Sequence, residues 1–373
     1  MKEMETWLRQ IRIAGIPDKV FDICIKNGIF QEIREVEDQK EITEKLWITP
    51  GLIDLHFHGG WTDFDHSVQE KRTPEEVKSM IQIEMQRLLE SGVTMIRDAG
   101  GLKEQDWKDI SDGSQKEDFP EVVLCADMLH VEENFDWNRL QPVLESKNAW
   151  VKIFAAGGIS TDIKKVLEPN ISEAGFKKLV KELKKNGKKV MVHTWGGPVL
   201  DWLIDAEADS VEHGIFMTRE QARRLAQNHI PYVATTRIYQ MIAAGKEPLV
   251  LPEFLRERAK EACKAHRQAV QYALEEGVEI GFGTDFYSGD NLIPNELEEL
   301  FSLQEYGLSA EQAWKGATET AAKILGLGDS YGKIAEGYVA NAVLFRENPY
   351  QAKNAEELKK SIVRVLRTSG VNN

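Results

Sequence analysis

The stretch Thr49-Pro50-Gly51-Leu52-Ile53-Asp54-Leu55-His56-Phe57-His58 ends a short apolar run in two histidines one residue apart. Residues i and i+2 of a strand project to the same side, so both imidazoles can converge on one cation if that side is the inside of a barrel. A His-x-His pair alone equally describes two half-buried histidines with hydrogen-bond partners. The weight comes from further ligand-type residues at the ends of other strand-like runs. His193 follows Val190-Met191-Val192, His213 follows Val211-Glu212, and Asp285 follows Gly281-Phe282-Gly283-Thr284. Taken singly, His193 and His213 read as core histidines and Asp285 as a helix N-cap. Lys152 lies between Val151 and Ile153, where an unpaired ammonium would be costly. Burial favours its neutral amine, which can add carbon dioxide to form a carbamate, an oxygen ligand able to bridge two metals. The alternative is a lysine paired with a nearby carboxylate.

These residues need a scaffold that brings strand ends to one rim. From residue 51 the chain repeats strand, loop and amphipathic helix, with strands read at 52–56, 93–98, 121–128, 150–156, 189–193, 210–214, 231–236 and 279–284. Several are continuous apolar runs, such as Val122-Val123-Leu124-Cys125-Ala126, as expected of a parallel sheet covered by helices. Helices are expected over 75–90, 172–186, 218–228 and 252–276. The first is introduced by Thr73-Pro74-Glu75-Glu76 and ended at Gly92. Eight such units predict an α/β fold of the (β/α)8 TIM-barrel type over residues 51–330, whose active site forms at the C-terminal strand ends. A doubly wound open sheet is disfavoured, because no Gly-x-Gly-x-x-Gly loop follows an early strand.

Residues 1–50 and 331–373 instead show short β-rich pieces, including a hairpin signal at Asn27-Gly28. They predict one accessory β-sandwich built from both chain ends. A net charge of −14 argues against a nucleic-acid partner. No apolar run is long enough to span a membrane. The first residues lack a signal-peptide layout, and the scattered Cys24, Cys125 and Cys263 fit reduced thiols, so a cytoplasmic location is expected. The partner expected is a small molecule. The sequence permits a homo-oligomer without fixing its size.

The segment Pro50 to His58, Lys152, His193, His213, Gly283-Thr284-Asp285 and the closing Gly332-Lys333-Ile334-Ala335-Glu336-Gly337 together resemble the amidohydrolase superfamily over essentially the whole chain. Where that closing pattern usually has Asp, Asn341 stands here. The resemblance implies two divalent metal ions, most often Zn2+. His56, His58 and Asp285 would hold one, His193 and His213 the other, and a carboxylated Lys152 would bridge them. Two such ions can share and acidify a hydroxide and polarise a carbonyl. Asp285 would act as general base and then general acid in hydrolysis of a carbon–nitrogen bond.

Within the superfamily, Val151 to Gly158 looks most like the branch of Xaa-Pro dipeptidases, carboxypeptidase-like peptidases and imidazolonepropionases. That likeness implies a dipeptidase or N-acyl amino acid hydrolase, with substrate-holding residues after strands three and seven. His130, Arg237 and Tyr239 stand there, and Arg237 could grip a carboxylate bidentately. The alternatives are a deaminase, a cyclic-amide hydrolase or a non-catalytic scaffold. Deaminases of the superfamily carry Glu three residues after the strand-five histidine, where this chain has Gly196.

Overall fold

The computed structural model describes residues 5–16, 18–37, 45–112, 115, 118–246, 249–289 and 296–368. The strands that carry the expected ligands are β5 (Leu52–His58), β6 (Val93–Asp98), β7 (Glu121–Val123), β8 (Cys125–His130), β9 (Trp150–Phe154), β10 (Lys189–Thr194), β11 (Ser210–His213), β12 (Tyr232–Val233), β13 (Ile280–Gly281) and β14 (Phe286–Tyr287). They form two parallel sheets, ordered β13-β12-β11-β10-β9-β8 and β14-β5-β6-β7. Every residue of β5 and β6 is buried. Helices between successive strands cover the outer side, giving an α/β fold.

Local chemistry sets the helix limits. Thr73 and Glu76 form a capping box at the start of helix Pro74–Glu90, and Ser172 caps Glu173–Lys185. A second capping box, Thr218 with Gln221, opens Arg219–Gln227, while Gly277 in the left-handed region closes Glu253–Glu276.

Three strands depart from their sequence-based ranges by more than two residues or a break. The third is broken at Leu124: β7 bonds to β6, whereas β8 bonds to β9. The seventh stops at Val233, because Thr235 takes φ +55° and a helix begins at Thr236. The eighth consists of β13 on β12 and β14 on β5, with Leu55 N–H donating to Phe282 O and Asp285 N–H to His56 O in between.

The face that the parallel strands share is layered. Ile53, Leu55, Met95, Cys125, Trp150, Met191 and Val233 form one apolar cluster, closed by Ala321, Ala322 and Leu325 of helix Glu319–Leu325. Two residues further along the same faces stand Arg97, Lys152 and His193. A polar layer thus sits directly on an apolar one.

Both chain ends enter a third sheet, ordered β16 (Ile362–Leu366), β15 (Ala342–Phe345), β4 (Trp47–Pro50), β1 (Glu5–Ile13), β2 (Val20–Lys26) and β3 (Ile29–Val36). Asn27 and Gly28, at φ +53° and +81°, make the β2–β3 turn. The sheet is mixed rather than purely antiparallel, since β1 runs parallel to β4. Of residues 332–345 only Ala342–Phe345 are strand. Ile11, Phe21, Ile23, Phe30, Ile48 and Leu344 belong to a core of its own. No helix among the described residues is long and apolar enough to cross a membrane.

Candidate metal centre and its cavity

His56, His58 and Asp285 meet at the C-terminal ends of the strands, each offering one ligand atom within 4.8 Å of the others. Backbone shape makes this convergence. Asp285 has φ +58° and His213 has φ +70°, both in the left-handed region that non-glycine residues seldom adopt. On an unbroken strand Glu212 and His213 would face opposite sides. The twist at His213 lets both point inward, so that the His213 ring lies 4.8 Å from that of His56 and 4.5 Å from that of His193. Asp54 ties the eighth strand down by accepting from His56 N, Thr284 N and Thr284 Oγ1 at 2.9, 3.1 and 2.6 Å.

His56 and His58 are oriented through the nitrogen that faces away from the centre. His56 Nδ1 is 2.5 Å from Glu212 Oε2, His58 Nδ1 2.9 Å from Gly100 O, and His213 Nδ1 2.8 Å from Thr235 Oγ1. A carboxylate and a carbonyl can only accept, so His56 and His58 carry a proton on Nδ1 and turn Nε2 toward the centre. Those two Nε2 atoms lie 3.4 and 3.2 Å from Asp285 Oδ1. His193 donates from Nε2 to Gly157 O at 3.0 Å, leaving Nδ1 as a buried acceptor without a partner.

Burial pushes His56 and His213 well below the ordinary imidazole value, and pushes His193 to about 3, with neighbouring positive charge adding to the effect. The rings are therefore neutral, the form that binds metal. Imidazole nitrogens gathered this close around a carboxylate oxygen form a donor set that a cation can join. That arrangement fits a divalent ion.

Lys152 is fully buried, and its Nζ lies 2.8 Å from His56 Nε2. Burial lowers its pKa to about 8 against the pull of Glu212 and Asp285. It forms no ion pair among the described residues, so the paired-lysine alternative has no partner here.

Behind the histidines lies a network that the sequence reading did not assign. Arg97 donates to Glu212 Oε1 at 2.9 Å, to Leu55 O at 2.6 Å and to Ser210 Oγ at 3.2 Å, with its guanidinium 4.4 Å above the Trp150 ring. Arg97 and Glu212 are completely buried. The available signal was two opposite charges inside strand runs, in Met95-Ile96-Arg97 and Ser210-Val211-Glu212.

A cavity of about 390 Å³ opens over the centre, lined by His58, His193, His213 and Asp285 together with His130 and Tyr239. His130 stacks on Phe154 at 4.8 Å, and Phe154 on His193 at 4.0 Å. Burial lowers the His130 imidazole as well. Tyr239 meets His213 edge-on at 6.1 Å. Arg237 is placed elsewhere: its side chain pairs with Glu298 at 2.7 Å and with Gln240 at 3.1 Å, and it does not line the cavity. Residues two apart on a helix point about 200° apart, so Tyr239 and Arg237 cannot serve one side.

The sequence profile of the amidohydrolase family matches residues 47–370. The chain belongs to that family. Among curated relatives, this amidohydrolase is 27% identical over 219 residues to ochratoxinase of Aspergillus niger, an alignment spanning 58% of this chain and 45% of that one. The chain thus matches about half the length of that relative. The crystal structure of A. niger ochratoxinase superposes with a TM-score of 0.81 at 19% identity, covering 99% of this chain and 95% of that chain. A Xaa-Pro dipeptidase with methionine bound in its active site gives 0.80 at 21% identity, with 98% of each chain covered. At these identities the two structures speak for the fold. The family supports hydrolysis of amide-type bonds and divalent-metal binding.

Proposed function

We propose that this protein is a metal-dependent hydrolase that adds water across an amide-type carbon–nitrogen bond. His56, His58, Lys152, His193, His213 and Asp285 would hold two divalent cations, with zinc the ion best suited to imidazole and carboxylate ligands. When bound, the cations would polarise the scissile carbonyl and make water acidic enough to attack at neutral pH. The observation that carries this reading is the convergence of His56 Nε2 and His58 Nε2 on Asp285, each ring fixed by a partner on its far side.

Asp285 stands at the cavity wall, about one-fifth exposed, where it can take a proton from attacking water and hand it to the leaving nitrogen. Tyr239 and His130 face the same space and would orient the acyl and amine halves. Arg237, held by Glu298, lends no support to a carboxylate grip, so the dipeptidase and N-acyl amino acid readings lose their anchor. Gly196 and the buried Lys152 argue against deamination. The same reading joins the two parallel sheets through Leu124 and residues 282–285 into one (β/α)8 barrel over 51–330. Residues 1–50 and 331–373 then form the accessory unit.

The test is elemental analysis of protein purified with bicarbonate present, alongside a screen of amides with amine and ammonia read in parallel. Wild type should hold about two ions per chain and release amine, while Lys152→Ala holds fewer. Equal metal content in both proteins would remove Lys152 as a bridge, and ammonia without amine would replace the reading with deamination.

A further inference from the structure

The walls around the centre carry a strong chemical bias. Trp61, Phe64, Phe154, Ile238, Ile242 and Met128 give the cavity apolar walls, and no Lys or Arg is among its described lining residues. Trp61 lies flat on His58 at 3.6 Å, so an aromatic surface begins at the ligand sphere itself. A second cavity of about 450 Å³ shares Phe64, His66 and Ser160 with the first and continues over Leu249, Val250 and Leu255. Its polar side adds Asp63 and Asp65, both acids. Val250 and the nearby Phe254 are more than half exposed, so this outer wall is apolar up to the solvent.

Arg258, Arg72, Arg237 and Arg139 stand outside the lining of the inner cavity, and Arg139 pairs with Asp127 at 3.7 Å. Arg258 donates to Ile159 O and Ser160 O, holding the rim loop. Arg72 donates to Thr62 O and pairs with Asp63 at 3.1 Å. Arg237 is held by Glu298. The undescribed residues Glu247-Pro248 and Asp290 to Asn295 carry no Lys or Arg in their sequence. A substrate carboxylate in the inner cavity would meet no Lys or Arg among its described lining residues and would face the carboxylate of Asp285.

We infer that the substrates are neutral amides with an apolar or aromatic group on each side of the scissile bond and no free carboxylate beside it. This rests on the hydrolase reading above. One group would pack in the inner cavity against Phe154, Ile238 and Ile242, the other along the outer wall at Phe64 and Leu249. Water supplies oxygen to the carbonyl carbon, the carbon–nitrogen bond breaks with its electron pair going to nitrogen, and the proton passes through Asp285 to give a carboxylic acid and an amine. Desolvating an unpaired carboxylate is what separates this class from dipeptides and acyl amino acids.

The experiment compares N-benzoyl-phenethylamine with N-benzoyl-phenylalanine, which differ only by a carboxylate, on the metal-loaded full chain. Benzoate release should give kcat/KM roughly a hundredfold higher for the neutral amide. Ile159→Arg, on the half-buried rim loop, should narrow that ratio by about tenfold or more by supplying the missing cation. Equal or greater efficiency on the acid by wild type would overturn the inference. Calorimetric binding of the same two compounds decides the case where neither is hydrolysed. Tighter binding of the neutral amide would then support the preference for neutral apolar ligands while these two amides fall as substrates, and tighter binding of the acid would overturn the inference.

Discussion

Replacing Glu212 by Gln isolates the part of the centre that no ligand list would include. The side chain keeps its size, so packing is unchanged, but two contacts lose their logic. Arg97 loses its anion while fully buried. Removing one member of a buried ion pair costs about 3–5 kcal/mol, because the remaining charge stays desolvated. Leu55 O and Ser210 Oγ still accept from Arg97, which favours the lower end of that range.

The second contact concerns His56. With the Gln carbonyl turned to Arg97, its amide nitrogen faces His56 Nδ1, and two N–H groups oppose each other. The ring can relieve this by moving its proton to Nε2, the atom that faces Lys152 and Asp285. That tautomer has no lone pair for a cation. Loss of such an orienting partner lowers metal affinity by about 10–100-fold, or about 1.4–2.7 kcal/mol. Urea unfolding of the metal-free variant measures the first effect, and competition for zinc against a chromophoric chelator measures the second. A variant that is less stable yet binds zinc as tightly as wild type would refute the tautomer argument, leaving Glu212 as a counter-ion to Arg97 alone.

Two further perturbations test the scaffold. A Cβ on Gly283 would sit 2.5 Å from Val233 Cγ1 and 2.9 Å from His56 Cβ. Gly283→Ala should therefore destabilise by about 1–3 kcal/mol in thermal unfolding and lower metal content, and wild-type values for both would show that β12 and β5 give way freely. Away from the site, burial and the neighbouring Glu296 raise the Glu84 carboxyl from 4.5 to about 8. The folded state then holds more protons than the unfolded one between those values. Its stabilising effect is complete below pH 4.5 and is lost as pH rises through about 8. Glu84→Gln should flatten that decline in urea midpoints measured from pH 5 to 9, and an unchanged slope would show that Glu84 is not the group that takes up the proton.

What the sequence could reveal depended on whether side-chain direction follows strand periodicity. His56 and His58 obey the i, i+2 rule and were legible at once. Lys152 was legible because a lysine between Val151 and Ile153 has no solvent to reach. The helix ends were legible too, since Thr73, Ser172 and Thr218 act through bonds within four residues. Arg237 was not, because its direction depends on Thr235. Read as a strand end, the segment puts Arg237 and Tyr239 on the same side. Once Thr235 turns left-handed and a helix starts at Thr236, they point to opposite sides, and a carboxylate grip becomes an ion pair with Glu298.

Glu212 is hidden for the related reason that an inward His213 on a regular strand sends Glu212 outward by alternation. Only φ +70° at His213 allows both to face in. Thr235, His213 and Asp285 lie at or next to strand ends and are held in the left-handed region, at φ +55°, +70° and +58°. Each such backbone costs of order 1–3 kcal/mol for a non-glycine residue. The hydrogen bonds around them run between these same residues and their neighbours: Thr235 to His213, Thr284 to Asp54, and Asp285 N–H to His56 O. The strain is thus held by the contacts that aim the ligands. A single sequence shows the ligand types but not the conformations that gather them.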